Sequence, residues 1–192
     1  MRRGALLLLA LAATLIACPT GAQKLTGFAE VRGFGYDSRV TEREPWVLGW
    51  ARLFVKEEAS LGSLRLVASL RAETFSSAEQ GPLAFDPADR NVRRSPLSLR
   101  ELWVRIPVDQ ALDLQLGRFE LGWGKTDGYS PADAFLPRDG TDPYADEKIP
   151  LWGARLQGQR GAWRFELLGT VTTTPWRLPV LEGRNAPIAV PA

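Results

Sequence analysis

Hydrophobic and polar residues alternate along much of this chain with a period of two. The clearest stretch covers residues 64–73, where Val67 is the one residue out of pattern, and a similar stretch covers 163–173, where Leu168 is the exception. Period-two alternation is typical of a β-strand with one apolar and one polar face. The pattern therefore predicts two amphipathic strands with charged polar faces.

Further segments predict strands with less regular faces. In the segment that begins at Trp46, an apolar row opposes a row that mixes Trp50 and Phe54 with Arg52. The chain as a whole is predicted to be all-β. The seven predicted strands are 25–36, 46–56, 64–73, 97–108, 112–121, 152–159 and 163–173.

The connections between these strands alternate between long and short. The long ones are 37–45, 74–96 and 122–150, and the short ones are 58–63, 109–111 and 158–162. Long structureless loops are uncommon in compact soluble domains. Outer-membrane barrels have short periplasmic turns, long external loops and strands of about ten residues. The predicted fold is an antiparallel up-and-down transmembrane β-barrel, and a secreted soluble β-sandwich stays open as the alternative.

The N-terminal residues predict export from the cytoplasm. Arg2 and Arg3 precede an apolar run over 5–17, and small residues occupy 20–22. This arrangement predicts a secretory signal peptide over 1–22, followed by the barrel segment over 23–192. Residues 15–18 also resemble a lipobox, so lipidation of Cys18 stays open. No later stretch approaches the roughly 18 apolar residues of a membrane-spanning helix.

Charge and residue usage exclude several classes of function. The chain has 24 Lys and Arg against 22 Asp and Glu, and Arg2 and Arg3 lie in the predicted signal peptide. The neutral remainder lacks the electrostatic footprint of a nucleic-acid-binding protein. Because the chain has no His, Ser-His-acid and Cys-His catalytic arrangements are excluded. We therefore predict no enzymatic activity, no cofactor, no metal site and no nucleic-acid partner.

Two charged clusters occur in the long connections. The basic cluster of Arg90, Arg93 and Arg94 favours a solvated loop over a binding patch. Acidic loops can hold a hard cation, but here the spacing lacks the EF-hand pattern, so a solvated loop is again favoured. The acidic residues are Asp127, Asp133, Asp139, Asp142, Asp146 and Glu147.

The third long connection also predicts a short helix. Ser130, Pro131 and Asp133 fit an N-cap, a first-turn Pro and an N3 acid, so we predict a helix over 131–136 that Pro137 ends. Short helices in long barrel loops often fold inward and narrow the pore. The alternative is a loop of tight turns with exposed acids.

An inward fold of this connection would bring opposite charges together. Asp133, Arg138 or Asp139 would then lie near Arg118 and Arg155, and the transverse field would filter polar solutes. The candidate loop or constriction residues are Trp123, Asp127, Asp133, Arg138 and Asp139.

The same segment carries a resemblance to a known group of proteins. Its matching residues are Gly117, Arg118, Trp123, Gly124, Asp127, Pro131, Asp133, Pro137, Arg138 and Asp139. In this pattern the chain resembles a Gram-negative outer-membrane porin-like β-barrel family, similar to the DUF1302 and alginate-export type barrels. The turn over 174–179 is similar to a further turn in such chains, so the resemblance covers roughly 97–179. It implies a barrel pore, and the residues that it implies hold the loop inside the barrel are Arg118, Trp123, Gly124, Asp127, Asp133 and Asp139.

These observations predict an outer-membrane channel for passive passage of small solutes. The expected partners are outer-membrane lipid, the solutes and the barrel-assembly machinery. The expected cellular location is the outer membrane of a Gram-negative bacterium. A non-conducting barrel for anchoring, adhesion or export is the alternative. Because the last residues are Pro-rich and lack a terminal aromatic, we expect an N-terminal portion of a larger barrel. The pore-lining candidates are Arg65, Arg71, Glu73, Glu101, Arg105, Arg118, Arg155, Arg164 and Glu166.

Overall fold

The chain folds into a seven-stranded sheet and a small hairpin. The structure is a computed structural model that describes residues 22–37, 46–76, 80–83, 85–122, 136–142, 147–172 and 174–180. Its strands are β1 (Gln23–Gly35), β2 (Val47–Leu61), β3 (Leu64–Phe75), β4 (Leu97–Pro107), β5 (Leu112–Phe119), β6 (Arg138–Asp139), β7 (Glu147–Lys148), β8 (Leu151–Arg160) and β9 (Trp163–Thr170). These described residues form no helix, and so none that could cross a membrane.

The large sheet is an antiparallel meander. Its strands lie in the order β1-β2-β3-β4-β5-β8-β9, and each pairs with its neighbours in antiparallel register. This arrangement confirms the predicted all-β class and the seven strand segments. Within the described residues β1 and β9 each have one neighbour, so this sheet has two open edges.

Two of the short turns are tighter than predicted. β2 and β3 are joined by Gly62 and Ser63, and β8 and β9 by Gly161 and Ala162. Gly62 and Gly161 have φ values of 60° and 61°. A glycine with positive φ in the first position suits a type II′ turn, which continues the twist of the flanking strands. The strands therefore extend into the predicted short connections 58–63 and 158–162.

Two irregularities interrupt the alternation of side chains in the central strands β4 and β5. The pairing of β3 with β4 shifts between Ser69 and Leu70, which inserts Arg100 as an extra residue. In β5, Gly117 has a φ of 126°, and a Cβ there would lie 2.1 Å from the carbonyl oxygen of Leu102. Only glycine accepts this conformation and this approach. Together these features change which face of the sheet the neighbouring side chains of β4 and β5 occupy.

The long and short connections lie at opposite ends of the strands because consecutive strands run in opposite directions. The connections after β1, β3 and β5 share one end, and the turns after β2, β4 and β8 share the other. The third long connection contains the β6–β7 hairpin. Residues 131–135 of the predicted helix lie outside the described residues, as do residues 1–21 of the predicted signal peptide.

Candidate functional site

The two faces of the sheet have reversed burial. Register places Val31, Leu53 and Leu167 on one face, where they are 84%, 51% and 67% exposed. Arg71 and Glu73 lie on the other face and are 3% and 4% exposed. A sheet in a water-soluble protein usually buries its apolar face and exposes its polar one. The charged face is therefore the candidate functional surface.

The β6–β7 hairpin covers one end of this charged face. Two hydrogen bonds fix its base: the backbone N–H of Ile149 donates to the carbonyl of Pro137 at 2.8 Å, and the Arg100 guanidinium of β4 donates to the carbonyl of Lys148 at 2.6 Å. The hairpin brings Glu147 directly against the sheet. The β6–β7 hairpin, which is the described part of this connection, thus lies over the charged face.

Glu147 joins the hairpin to three arginines. Its carboxylate lies 2.8 Å from Arg52 on β2, 2.8 Å from Arg94 in the second long connection, and in contact with Arg71 on β3. Arg94 also lies 3.1 Å from Glu73. A single loop carboxylate therefore connects two strands and another loop.

A second carboxylate, that of Asp139, extends this network toward the chain after β9. Asp139 lies 3.3 Å from Arg94 and forms an ion pair with Arg177. Arg177 also lies 2.6 Å from Asp89, and the hydroxyl of Thr141 donates to Asp139. We call the following residues the loop-end cluster: Arg52, Arg71, Glu73, Asp89, Arg94, Asp139, Glu147 and Arg177.

The electrostatics of this cluster keep its loop acids ionised. Burial alone would raise the pKa of Glu147, but the charges of Arg71 and Arg94 outweigh burial and lower this pKa to about 2. Asp139 shows the same opposition, because Arg94 and Arg177 overcome burial and lower its pKa. At neutral pH the two carboxylates are therefore fixed negative charges, rather than groups poised to transfer protons.

Trp50 forms the aromatic floor of the cluster. The guanidinium carbons of Arg52, Arg32 and Arg94 lie 4.4, 4.8 and 5.4 Å from its ring centroid. Such distances are within the range of cation–π attraction. Because the ring is itself buried, it holds arginine side chains in place while leaving their outer nitrogens for carboxylates.

The other end of the charged face carries simpler ion pairs. Lys56 lies 2.8 Å from Glu101, Arg65 lies 2.6 Å from Glu58, and Arg155 lies 2.8 Å from Glu166. The guanidinium of Arg105 lies over the ring of Trp103, 5.7 Å from its centroid. We call the following residues the turn-end row: Lys56, Glu58, Arg65, Glu101, Arg105, Arg155 and Glu166.

Seven of the nine predicted pore-lining residues belong to these two groups, and the exceptions are Arg118 and the exposed Arg164. Arg118 follows the irregular Gly117 and is fully buried, and its Nε donates to the carbonyl of Leu99 at 2.9 Å. The strand register places the other candidates on the charged face: Arg65, Arg71, Glu73, Glu101, Arg105, Arg155, Arg164 and Glu166.

The predicted loop residues are placed only in part. Trp123, Asp127 and Asp133 lie outside the described residues, whereas Arg138 and Asp139 form β6. The ion-pair partners of Asp139 are Arg94 and Arg177, rather than the expected Arg118 and Arg155. The inward position of β6 is therefore reached with different arginines.

Sequence reasoning missed several members of the loop-end cluster. Arg94 is 2% exposed, so the expected solvated loop is wrong for this residue, although Arg90 and Arg93 are exposed. Asp139 and Asp142 are buried as well, against the expectation of a solvated acidic loop. Their charges are matched by arginines from distant segments, which no local pattern reveals. Arg71, Glu73 and Asp139 were predicted as site residues, and among the other members of the cluster only Arg52 had a sequence signal, its position in a predicted strand.

The arrangement favours electrostatic interaction over covalent chemistry. The part of the chain that the structure describes has no group of three or more His, Cys, Asp or Glu side chains that could hold a metal ion. Opposite fixed charges along one face can attract, orient or obstruct charged solutes.

No protein-family model matches the chain, and no curated protein matches it either. The resemblance to porin-like barrels therefore stays a prediction.

Proposed function

We propose that this chain forms wall strands of an outer-membrane β-barrel that serves as a channel for small solutes. The observation that carries the proposal is the reversed burial of the two sheet faces. An outer-membrane barrel has an apolar band facing lipid and a polar interior. The sheet matches this pattern in part, because large apolar side chains such as Val31 and Leu167 are exposed on one face, whereas Arg71 and Glu73 are buried on the other.

The exposed face has the features expected of a lipid-facing surface. The strands of the large sheet have 8 to 15 residues. A tilted strand needs about 9 to 11 residues to cross a bilayer. Trp163 is 81% exposed beside the turn at Gly161, a position that suits an aromatic girdle at the membrane interface. Other exposed apolar side chains on this face include Val31, Leu53, Val55, Leu116, Phe165 and Leu167.

The charged face has the features expected of a lumen. The turn-end row would line the pore wall, and the β6–β7 hairpin would narrow the pore at the loop end. Arg52, Arg71 and Arg94 form direct ion pairs with Glu147 at this narrowing. Rings of fixed charge at a constriction select polar and charged solutes.

The open edges of the sheet set a further requirement. In hydrocarbon each unpaired backbone N–H or C=O group costs several kcal/mol, so only a closed barrel is viable. The proposal therefore requires partner strands along β1 and β9, which the barrel-assembly machinery would help to place.

The test combines fractionation with electrical recording. The protein is expressed with its predicted signal peptide in a Gram-negative bacterium, and we expect it in the outer-membrane fraction, with different gel mobility before and after heating. Purified protein should then produce stepwise current in a planar lipid bilayer. Recovery in the soluble periplasmic fraction would contradict the membrane assignment and favour the soluble β-sandwich.

One observation favours a non-conducting barrel as the second candidate. The loop-end cluster is dense and buried, with Arg94 in contact with Glu73, Asp139 and Glu147. Such a network resembles an interlocked plug, which would suit a barrel used for anchoring, adhesion or export. A heat-modifiable outer-membrane protein that produces no current would support this candidate.

A further inference from the structure

A groove at the loop end of the molecule has no part in the pore wall. It has a volume of about 800 Å³ and lies between the second long connection and the segment that follows β9. Ligand pockets in proteins typically measure about 300 to 1,000 Å³. The groove is therefore large enough for an organic molecule of two or three rings.

Hydrogen bonds fix the two walls of the groove to each other. The Nε of Arg177 donates to the carbonyl of Asn91 at 3.0 Å, and the hydroxyl of Thr174 donates to the carbonyl of Ala88 at 3.2 Å. The indole N–H of Trp152 donates to the carbonyl of Pro87 at 2.8 Å, which fixes the wall to β8. A ligand would thus enter a preformed site and would not have to order its walls.

The groove combines an apolar surface with positive charge. Trp176, Leu178 and Val92 line it and are 49%, 60% and 70% exposed. Arg90 and Arg93 also line it and are exposed. Asp89 is the acidic residue of the lining, and its charge is neutralised by Arg177 at 2.6 Å. The accessible chemistry is therefore apolar and cationic.

We propose that this groove binds an amphipathic organic anion, a carboxylate on an apolar or aromatic body. The body would contact Trp176 and Leu178, and the carboxylate would pair with Arg90 or Arg93, since guanidinium groups bind carboxylates in a bidentate manner. This inference rests on the proposed function, for which the groove is a capture site at the outer mouth of the channel.

Calorimetric titration of the purified protein tests the proposal with three probes. 2-Naphthoate carries both features, 2-naphthylmethanol lacks the charge, and acetate lacks the rings. We expect 2-naphthoate to bind about tenfold or more tightly than either of the others, because a hydrogen bond to a charged group is worth about a tenfold change in affinity or more. Equal binding of the alcohol and the carboxylate would overturn the assignment to anions.

Substitutions locate the site. The double change Arg90→Gln with Arg93→Gln should weaken 2-naphthoate binding about tenfold and leave the alcohol unaffected, while Trp176→Ala should weaken both aromatic probes. The matched control is Arg160→Gln, an exposed arginine beside a short turn, which should change nothing. Val92→Asp is a second variant at an exposed lining position and should weaken the anion more than the alcohol, because it adds charge repulsion to the loss of apolar contact. Unchanged binding in all groove variants would overturn the site.

The binding measurement stands apart from the conductance measurement. Binding of 2-naphthoate without current would support the groove site and contradict the channel. Current without binding would support the channel and contradict the groove site.

Discussion

The two ends of the charged face use the same residue types in different ways. In the loop-end cluster Arg94 lies 3.1 Å from Glu73 with side chains 3% and 0% exposed, whereas in the turn-end row Arg65 lies 2.6 Å from Glu58 with side chains 49% and 27% exposed. The shorter pair is thus the more exposed one. Exposed ion pairs contribute little to stability, whereas breaking a buried pair leaves an uncompensated charge. Burial, more than the distance between the charges, therefore determines how much each ion pair matters for stability.

The largest expected effect separates these two ends. Arg94→Ala should lower the free energy of unfolding by about 3 to 5 kcal/mol, because the buried carboxylates of Glu73 and Asp139 and the partly buried one of Glu147 lose a shared partner. The matched variant Arg65→Ala should cost less than about 1 kcal/mol. Denaturant unfolding in lipid vesicles measures both. Similar losses would show that the two ends do not differ in the way described.

The next effect extends the comparison to the opposite face. Leu66→Arg puts a charge on the apolar face, and on the proposed lipid contact it should cost about 2 to 4 kcal/mol and reduce barrel assembly. Leu66→Met is the control, because it retains apolar volume and should cost less than about 1.5 kcal/mol. Heat-modifiable gel mobility gives the assembled fraction. Normal assembly of the arginine variant would contradict the face assignment.

A third effect depends on pH and concerns the loop-end cluster. The folded-state pKa of Glu147 is lowered to about 2 from an ordinary 4.5, so its stabilising contribution is complete above pH 4.5 and is lost as the pH falls toward 2. The loss should reach up to about 3 kcal/mol.

Unfolding measured from pH 6 to about pH 2 should therefore show declining stability, with Glu147→Gln less stable at neutral pH but less dependent on pH. Parallel curves for the two proteins would mean that Glu147 titrates normally.

The smallest effect belongs to the turn-end row. Lys56 and Glu101 lie 2.8 Å apart with side chains 26% and 18% exposed. A double-mutant cycle with Lys56→Ala and Glu101→Ala should give a coupling of about 0.2 to 1 kcal/mol that weakens as salt rises. A coupling above about 2 kcal/mol that ignores salt would place this row with the buried cluster.

The sequence by itself determined the strand segments, the places of the long and short connections and the two faces. Alternation is a local property, since neighbouring side chains in any extended strand point to opposite sides. It assigns residues such as Arg65, Arg105 and Glu166 to the charged face from their positions in the chain alone. Alternation also locates β3 and β9, and the long and short connections alternate as predicted.

Only the tertiary structure decided which charges are buried and which partners they have. Arg94, Glu147 and Arg177 lie outside the strands of the large sheet or beyond its last strand, in segments without periodicity. Ion pairing depends on positions in space that long connections bring together, so partners far apart in sequence leave no local signal. Arg118 departs from the expected pattern for a related reason, because the backbone at Gly117 leaves regular strand geometry. Strand pattern is therefore readable from residues in order, whereas the loop-end cluster exists only once the connections fold over the sheet.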